Sequence, residues 1–477
     1  MERGICQVNA TQLLFDVDDV VLARPHSSVP PVVVTASEED LTAVAGVALW
    51  GPLLDRLNVA AEADRRGLRP IGPGGYTGGE CYRALVETQL AGGDFLSDRT
   101  LLADDATAAL RGTAALPSTA TLSRFLGAAT LGWTAKAAAV KATPDHRGRM
   151  LARAWAAGAA PAGPVITIDP DATRVATYGA GKHGSAFARD GQTGLSPLVG
   201  VCGETGDVLA VRARGGSAND GRAMGRFIGE CVAAVPPAVR RGRRLWIRVD
   251  SAGYQRDVVE AADRHDAYFS VTARHLPNVT TAIHDLASSP HTVWRPAADA
   301  EADVGSEIAE TPFVFAGQVV RLIVRRQPRG RGAQLAFDDV DGWRFHAIIT
   351  NVPATFMSAV SVELAHRLRG GAPEEAIRQL KGDFGMNHAP VTGFLGNWLW
   401  WLAAALAYNV ARWLRVLALP ASWHGCRGKR LRLGLLNIPA RVVCSARRLY
   451  LRLPAAYQHA AVFIAALERI RALPAFT

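Results

Sequence analysis

Three carboxylates carry the chemistry that this chain of 477 residues can do. Asp171 lies at the end of Val165-Ile-Thr-Ile-Asp169-Pro-Asp171-Ala-Thr173, a β-branched run. Asp250 ends a second apolar run, Leu245-Trp-Ile-Arg-Val-Asp250-Ser-Ala-Gly-Tyr254. Glu374 opens a helical stretch, Pro373-Glu374-Glu375-Ala-Ile-Arg-Gln-Leu-Lys381. Two strand-end aspartates and a distant helical glutamate can gather two divalent cations, and such a pair catalyses in-line phosphodiester chemistry. Each acid also has an ordinary explanation. Asp-Pro-Asp is a common turn, Asp-Ser caps helices, and acids in a first helical turn answer the macrodipole. Their separations of 79 and 124 residues restrain little.

Strand alternation puts Thr167, Asp169 and Asp171 on one face, opposite Ile166 and Ile168, so either aspartate can serve as the first acid. Between the adjacent glutamates, helical geometry chooses. Glu374, Arg378 and Lys381 fall at i, i+4 and i+7 on one face, whereas Glu375 points about 100° away. A carboxylate for metal with cations one and two turns on for phosphate is a sensible pairing, which makes Glu374 the candidate.

The elements that must position these groups follow from periodicity. Residues 1–30 alternate apolar and acidic positions (Leu14, Phe15, Val17, Val20, Val21) and suggest a strand or hairpin. From Glu38 to Leu126 the spacing is helical, with a glycine-rich break at Gly72–Gly79 and a helix capped by Ser118 with Leu122, Phe125 and Leu126 as its apolar face. Residues 1–160 therefore read as a mostly helical region for DNA or dimer contacts. Strands at Val165–Ile168, Pro197–Cys202, Val208–Ala213 and Leu245–Val249, with a helix over Asp220–Val235, predict an α/β core of the ribonuclease-H type over 161–265. Further strands (Phe313–Phe315, Val319–Arg325, Arg344–Thr350) predict a β-rich insertion over 266–355. The core is expected to resume over 356–418 with the glutamate helix and a tryptophan-rich helix, before a basic tail over 419–477.

Charge placement points to a polyanion. The formal net charge is +10, and no acidic residue lies between Asp383 and Glu468. That stretch holds ten cations, among them Arg427, Lys429, Arg430 and Arg432. A one-sign field that concentrated suits DNA. Only five of the 53 basic residues are lysine, so composition explains arginine over lysine but not the missing acids. The uncharged run from Phe394 to Ala411 contains Asn397 and Asn409 and reads as a core helix, not a membrane span. Six cysteines without metal-type spacing, and an N-terminus without signal-peptide character, lead us to expect a cytoplasmic, nucleoid-associated protein with incidental thiols.

Asp171-Ala-Thr173, Arg248-Val-Asp250-Ser-Ala-Gly-Tyr254 and Glu374-x6-Lys381 together resemble the DDE transposases of bacterial insertion sequences. The similarity is to the branch with a β-rich insertion before the glutamate, and within it to the insertion-sequence family numbered thirteen-eighty. Gly92-Gly93-Asp94, Pro117-Ser118 with Thr121-Leu122-Ser-Arg124-Phe125-Leu126, Ala347-Ile-Ile-Thr-Asn351 and Leu406-Ala-Tyr-Asn409 add to it over residues 40–418. The family's Asp-x-Thr pattern favours Asp171 over Asp169. Two departures stand out: His366 lies near the family's tyrosine, and Arg369 precedes Glu374 by one residue more than usual.

The resemblance implies a cut-and-paste transposase with a ribonuclease-H-like core. Asp171, Asp250 and Glu374 would hold two Mg²⁺ (or Mn²⁺) ions, with Lys381 assisting. Arg369, Arg378 and Lys381 would contact phosphate, joined by Arg427, Lys429, Arg430 and Arg432. Its partners would be the terminal inverted repeats and target DNA, bound by a homodimer formed on DNA, with no membrane involved. The alternatives are an inactive DNA-binding relic and a structure-specific ribonuclease-H-like nuclease.

Overall fold

The computed structural model describes residues 20–22, 32–34, 40–65, 75–111, 116–128, 148–178, 181–187, 191–299, 305–328 and 342–474. The β-branched run around Asp171 forms strand β1 (Val165–Ala172), longer than expected, so that both Asp169 and Asp171 lie within it. The apolar runs that follow form β2 (Leu198–Cys202), β3 (Val208–Arg212), β4 (Arg244–Val249) and β5 (Tyr268–Thr272). These five pair in the order β5-β4-β1-β2-β3. β1, β2 and β3 are antiparallel neighbours, whereas β4 pairs in parallel with β1 and with β5. Parallel neighbours need crossovers. Helix Met224–Ala234 leads into β4, and helix Arg256–Arg264 connects β4 to β5. This is the ribonuclease-H arrangement expected from the sequence.

The β-rich segment does not form a layer of its own. Strands β6 (Arg295–Pro296), β7 (Glu307–Phe315), β8 (Gln318–Pro328) and β9 (Trp343–Thr350) join the same sheet, because β9 pairs antiparallel with both β5 and β8. Among the described residues the sheet therefore has nine strands. The expected boundary at 265/266 falls before β5, so the fifth core strand belongs to the stretch read as insertion. Asn351, just past β9, accepts from the Phe269 amide at 2.7 Å and donates to the Ala267 carbonyl at 3.1 Å, fixing the entry to β5.

The tryptophan-rich run forms one 25-residue helix, Phe394–Ala418, at the centre of the molecule. Trp400, Trp401 and Trp413 are completely buried there, each removing an aromatic surface worth about 1.5–3 kcal/mol or more from water. Its two asparagines explain why it is a core helix. Asn409 exchanges two hydrogen bonds of 2.9 Å with the backbone of Val208, closing part of the free edge of β3. Asn397 does the same for Val391, at 3.1 and 2.8 Å. No helix among the described residues is long and apolar enough to cross a membrane.

Helix Gly78–Ala91 packs on the tryptophan helix. It opens with a capping box between Thr77 and Glu80, and nearly all its side chains are buried, so it is core, not a DNA-facing surface. Ser118 caps helix Thr119–Ala128 as expected, accepting from the Thr121 amide at 3.1 Å. The N-terminal expectation lies mostly outside the described residues, although Val20–Leu22 and Val32–Val34 do pair as antiparallel strands.

The stretch read as a basic tail is folded into the body. Strand β10 (Ala440–Ser445) pairs with Leu41–Thr42 on one side and with β11 (Arg448–Arg452) on the other. Helix Ala460–Ala472 packs against helix Val47–Arg56, and Arg56 donates to the Arg471 carbonyl at 2.6 Å. Apolar positions such as Phe463, Ala466 and Ile470 make this docking possible.

Candidate active site

The register of the sheet sets two rungs of side chains side by side. Ile168 of β1 pairs with Ile247 of β4. One step along, Asp169 faces Arg248; two residues further, about 6–7 Å along the strands, Asp171 and Asp250 follow at the C-terminal edge, where the Asp250 charge acts on Asp171. The lower rung is a buried bidentate ion pair. Arg248 Nε and Nη2 donate to the two oxygens of Asp169 at 2.7 and 2.6 Å. Asp169 is completely buried and Arg248 nearly so. Burial raises the Asp169 pKa, and the Arg248 donors oppose that shift.

Gly203 passes so close that an added Cβ would lie 2.8 Å from Arg248 Nη2 and 2.9 Å from an Asp169 oxygen, so a side chain is excluded there. The remaining Arg248 nitrogen donates to the Ala365 carbonyl in helix Ala359–Arg367, which precedes the glutamate helix. One guanidinium thus ties together the two aspartate strands and the segment leading to Glu374.

The upper rung is different. Asp171 keeps part of its carboxylate exposed and meets Arg369 Nη2 at 3.3 Å. Its pKa is pushed up to about 6. Burial is the largest cause, the charges of Asp250 and Glu374 add to it, and Arg369 and the Ala172 amide oppose it. Asp250 accepts from the Ala252 amide at 3.0 Å, capping the turn Ser251–Gly253. One Asp250 oxygen thus serves the cap expected of Asp-Ser, and the charge of the residue still acts on Asp171.

Glu374 sits in the first turn of helix Ala372–Asp383, exposed, without an ion pair among the described residues, and beside Gly370. Glu375 is engaged elsewhere. It pairs with Arg378 and with Arg427 at 3.0 Å, and accepts from Gln379 at 2.9 Å. Arg378 therefore serves Glu375 and not the Glu374 face on which the helical spacing placed it.

The charges of Asp250 and Glu374 act on Asp171, yet among the described residues no group of three or more His, Cys, Asp or Glu side chains stands ready to hold a metal ion. The donor chemistry still fits hard cations: the ligands are all oxygens, and burial, with the charges of Asp250 and Glu374, disfavours an ionised Asp171 that a bound cation would stabilise.

The predicted phosphate contacts fall into three groups. Arg369 is at the triad. Lys381 is half-buried on the glutamate helix, its pKa lowered by burial, and Arg427, Lys429 and Arg430 are exposed nearby, with Arg430 also stacked over Trp423 at 5.7 Å. Arg432 corrects the expectation. It is buried and donates to the carbonyls of Leu90, at 2.9 Å, Gln89, at 3.0 Å, and Asp383. Its guanidinium closes the C-terminal end of helix Gly78–Ala91, with Nε and Nη2 committed to carbonyls of the interior.

Sequence reasoning missed Arg248, although it interrupts the apolar run from Leu245 to Val249 and sits two residues before Asp250, on the same face. His366, the residue near the family's tyrosine, is buried between Ser270 Oγ at 2.9 Å and Thr272 Oγ1 at 3.0 Å. Burial holds its pKa well below the usual range, so it is a neutral packing partner under the site.

No curated protein matches the chain. Among solved structures, the cryo-EM structure of the piggyBac transposase synaptic complex with hairpin DNA is similar over 79% of this chain and 77% of that one, at 14% identity and a TM-score of 0.40. The family model for the transposase DDE domain, group 1, matches residues 77–475, from the first buried helix through both aspartate strands, the glutamate helix and the C-terminal hairpin, and the chain belongs to that family.

Proposed function

We propose that the chain is a cut-and-paste DNA transposase of an insertion sequence, acting through Asp171, Asp250 and Glu374. The observation that supports this reading most is the placement of Asp171 and Asp250 at the ends of the parallel neighbours β1 and β4, with the charges of Asp250 and Glu374 both reaching Asp171 and adding to the effect of its burial. Bound there, two Mg²⁺ or Mn²⁺ ions would supply Lewis-acid chemistry at the scissile phosphate. Asp171 and Asp250 would hold cations from the strand ends and Glu374 from the helix. Glu374 follows the Gly370-Gly371 link, which gives the helix start freedom to approach the aspartates.

Other side chains take up the remaining tasks. Arg369 would leave Asp171 for a substrate phosphate, and Lys381 would orient the DNA strand beside Glu374. Arg427, Lys429 and Arg430 would extend the phosphate track across the adjoining surface. Asp169 is assigned no ligand role, because Arg248 already occupies both its oxygens. Holding both element ends calls for a dimer assembled on DNA, and the branch numbered thirteen-eighty remains the closest reading of the motifs.

The test is Mg²⁺-dependent cleavage of DNA carrying the element's own ends. Cutting at the end, lost in chelator, supports a transposase. Cutting that ignores the terminal sequence supports the structure-specific nuclease, and binding without cutting supports an inactive relic.

A further inference from the structure

The C-terminal hairpin is amphipathic in an unusual way. In the β10–β11 register, Arg441 is opposite Arg452, Val443 opposite Tyr450, and Ser445 opposite Arg448, so all six share one face. On the other face Val442 is buried and Leu451 packs against the core. The connecting residues Ala446 and Arg447 both adopt left-handed backbone, with φ of 49° and 61°. Such a turn prefers Asn-Gly, and Ala-Arg is a poor choice for it. What this sequence does achieve is a fourth arginine at the tip.

Arg447, Arg448 and Arg452 are exposed and have no ion-pair partner among the described residues. Like charges directly across a ladder are destabilising, and the chain places no acid between Asp383 and Glu468 to offset them. The half-exposed Tyr450 at the centre of the face adds an amphipathic ring of the kind that packs against sugars and bases. A strand of five residues spans about 17 Å, and the major groove, about 12 Å wide, admits a two-stranded ribbon.

We propose that this hairpin is a second DNA-binding element, a β-ribbon that enters the groove of duplex DNA with Arg447, Arg448 and Arg452 on phosphates. The proposal rests on the reading that the chain acts on DNA, and it adds a contact surface apart from the triad and its neighbouring cations.

The experiment is equilibrium binding of the full chain to a 30-base-pair duplex over a salt series, in chelator so that cleavage plays no part. Arg447→Ala/Arg448→Ala/Arg452→Ala should flatten the log–log salt slope by up to about 2.7, at about 0.9 per lost phosphate contact. The loss on single-stranded DNA of equal length should be clearly smaller. A control variant, Arg240→Ala/Arg241→Ala/Arg264→Ala, removes the same charge from exposed positions elsewhere and should leave the slope within about 0.5 of wild type. An unchanged slope in the hairpin variant overturns the proposal. So does an equal flattening in the control, or an equal loss on single strands. Because no metal is present, failure of the cleavage reading leaves this result intact. Conversely, a hairpin variant that binds normally and still cuts removes the ribbon without touching the triad.

Discussion

Arg248→Met is the perturbation in which stability and geometry can be separated. Removing the guanidinium strands Asp169, a carboxylate with no exposure at all, in the interior of the fold. Breaking a buried pair from one side costs about 3–5 kcal/mol, because the remaining charge keeps its desolvation penalty without a counter-ion. The bond to the Ala365 carbonyl goes too, so the value should fall in the upper half of that range. Replacing both members, Asp169→Leu with Arg248→Met, removes the stranded charge and should recover most of the loss, since apolar substitutes for a buried pair are often neutral.

Urea unfolding followed by tryptophan fluorescence measures all three proteins. The double variant is then the informative one for function. It should be stable yet cut DNA at least tenfold more slowly than wild type, because nothing now fixes the Asp171–Asp250 rung or the segment leading to Glu374. A single variant that loses less than about 1 kcal/mol, or a double variant as unstable as the single, would show that this pair does not hold the strands.

Other consequences follow from the same geometry. Asp171, at about 6 in the folded metal-free protein against 3.8 when unperturbed, destabilises the fold when ionised. Its favourable contribution is complete below about pH 4 and disappears as the pH rises through 6. Asp171→Asn should therefore flatten the melting-temperature profile of the metal-free protein between pH 4 and 6; an identical profile would mean another group titrates there. Metal affinity, read by calorimetry, should fall as pH drops through 6, since proton and cation compete for Asp171. Glu374→Gln should abolish cleavage while Glu375→Gln loosens only the Arg378 and Arg427 contacts, and equal losses would refute the assignment of the helix face. Arg432→Ala should cost stability, about 2–4 kcal/mol through three unpaired carbonyls, with little change in the salt slope of DNA binding; the opposite pattern would restore it as a phosphate contact.

The core strands were legible because they are short, β-branched and bounded by turns, and Asp250 stood at the end of the plainest of them. What alternation alone could not do was choose between Asp169 and Asp171, since both point to one face. The choice depends on Arg248, a residue 79 positions later that reaches across from the neighbouring strand. The β-rich segment was recognised as strands but not as part of the same sheet, because periodicity reports a strand's faces and not its partners. Helical spacing placed Arg378 with Glu374, whereas a flexible side chain one turn on reached back to Glu375. Arg432 looked like its neighbours in a basic run. Only the packing around it of three carbonyls, from the ends of two helices, shows that it serves the interior.

The most direct test of the central claim is Asp250→Asn assayed on element-end DNA in Mg²⁺, with binding and cleavage measured on the same preparation. An amide keeps the shape and the cap on the Ala252 amide but cannot give the charge that two cations require. The account predicts wild-type affinity for the DNA and no detectable strand cleavage. Nicking at the wild-type rate would contradict it.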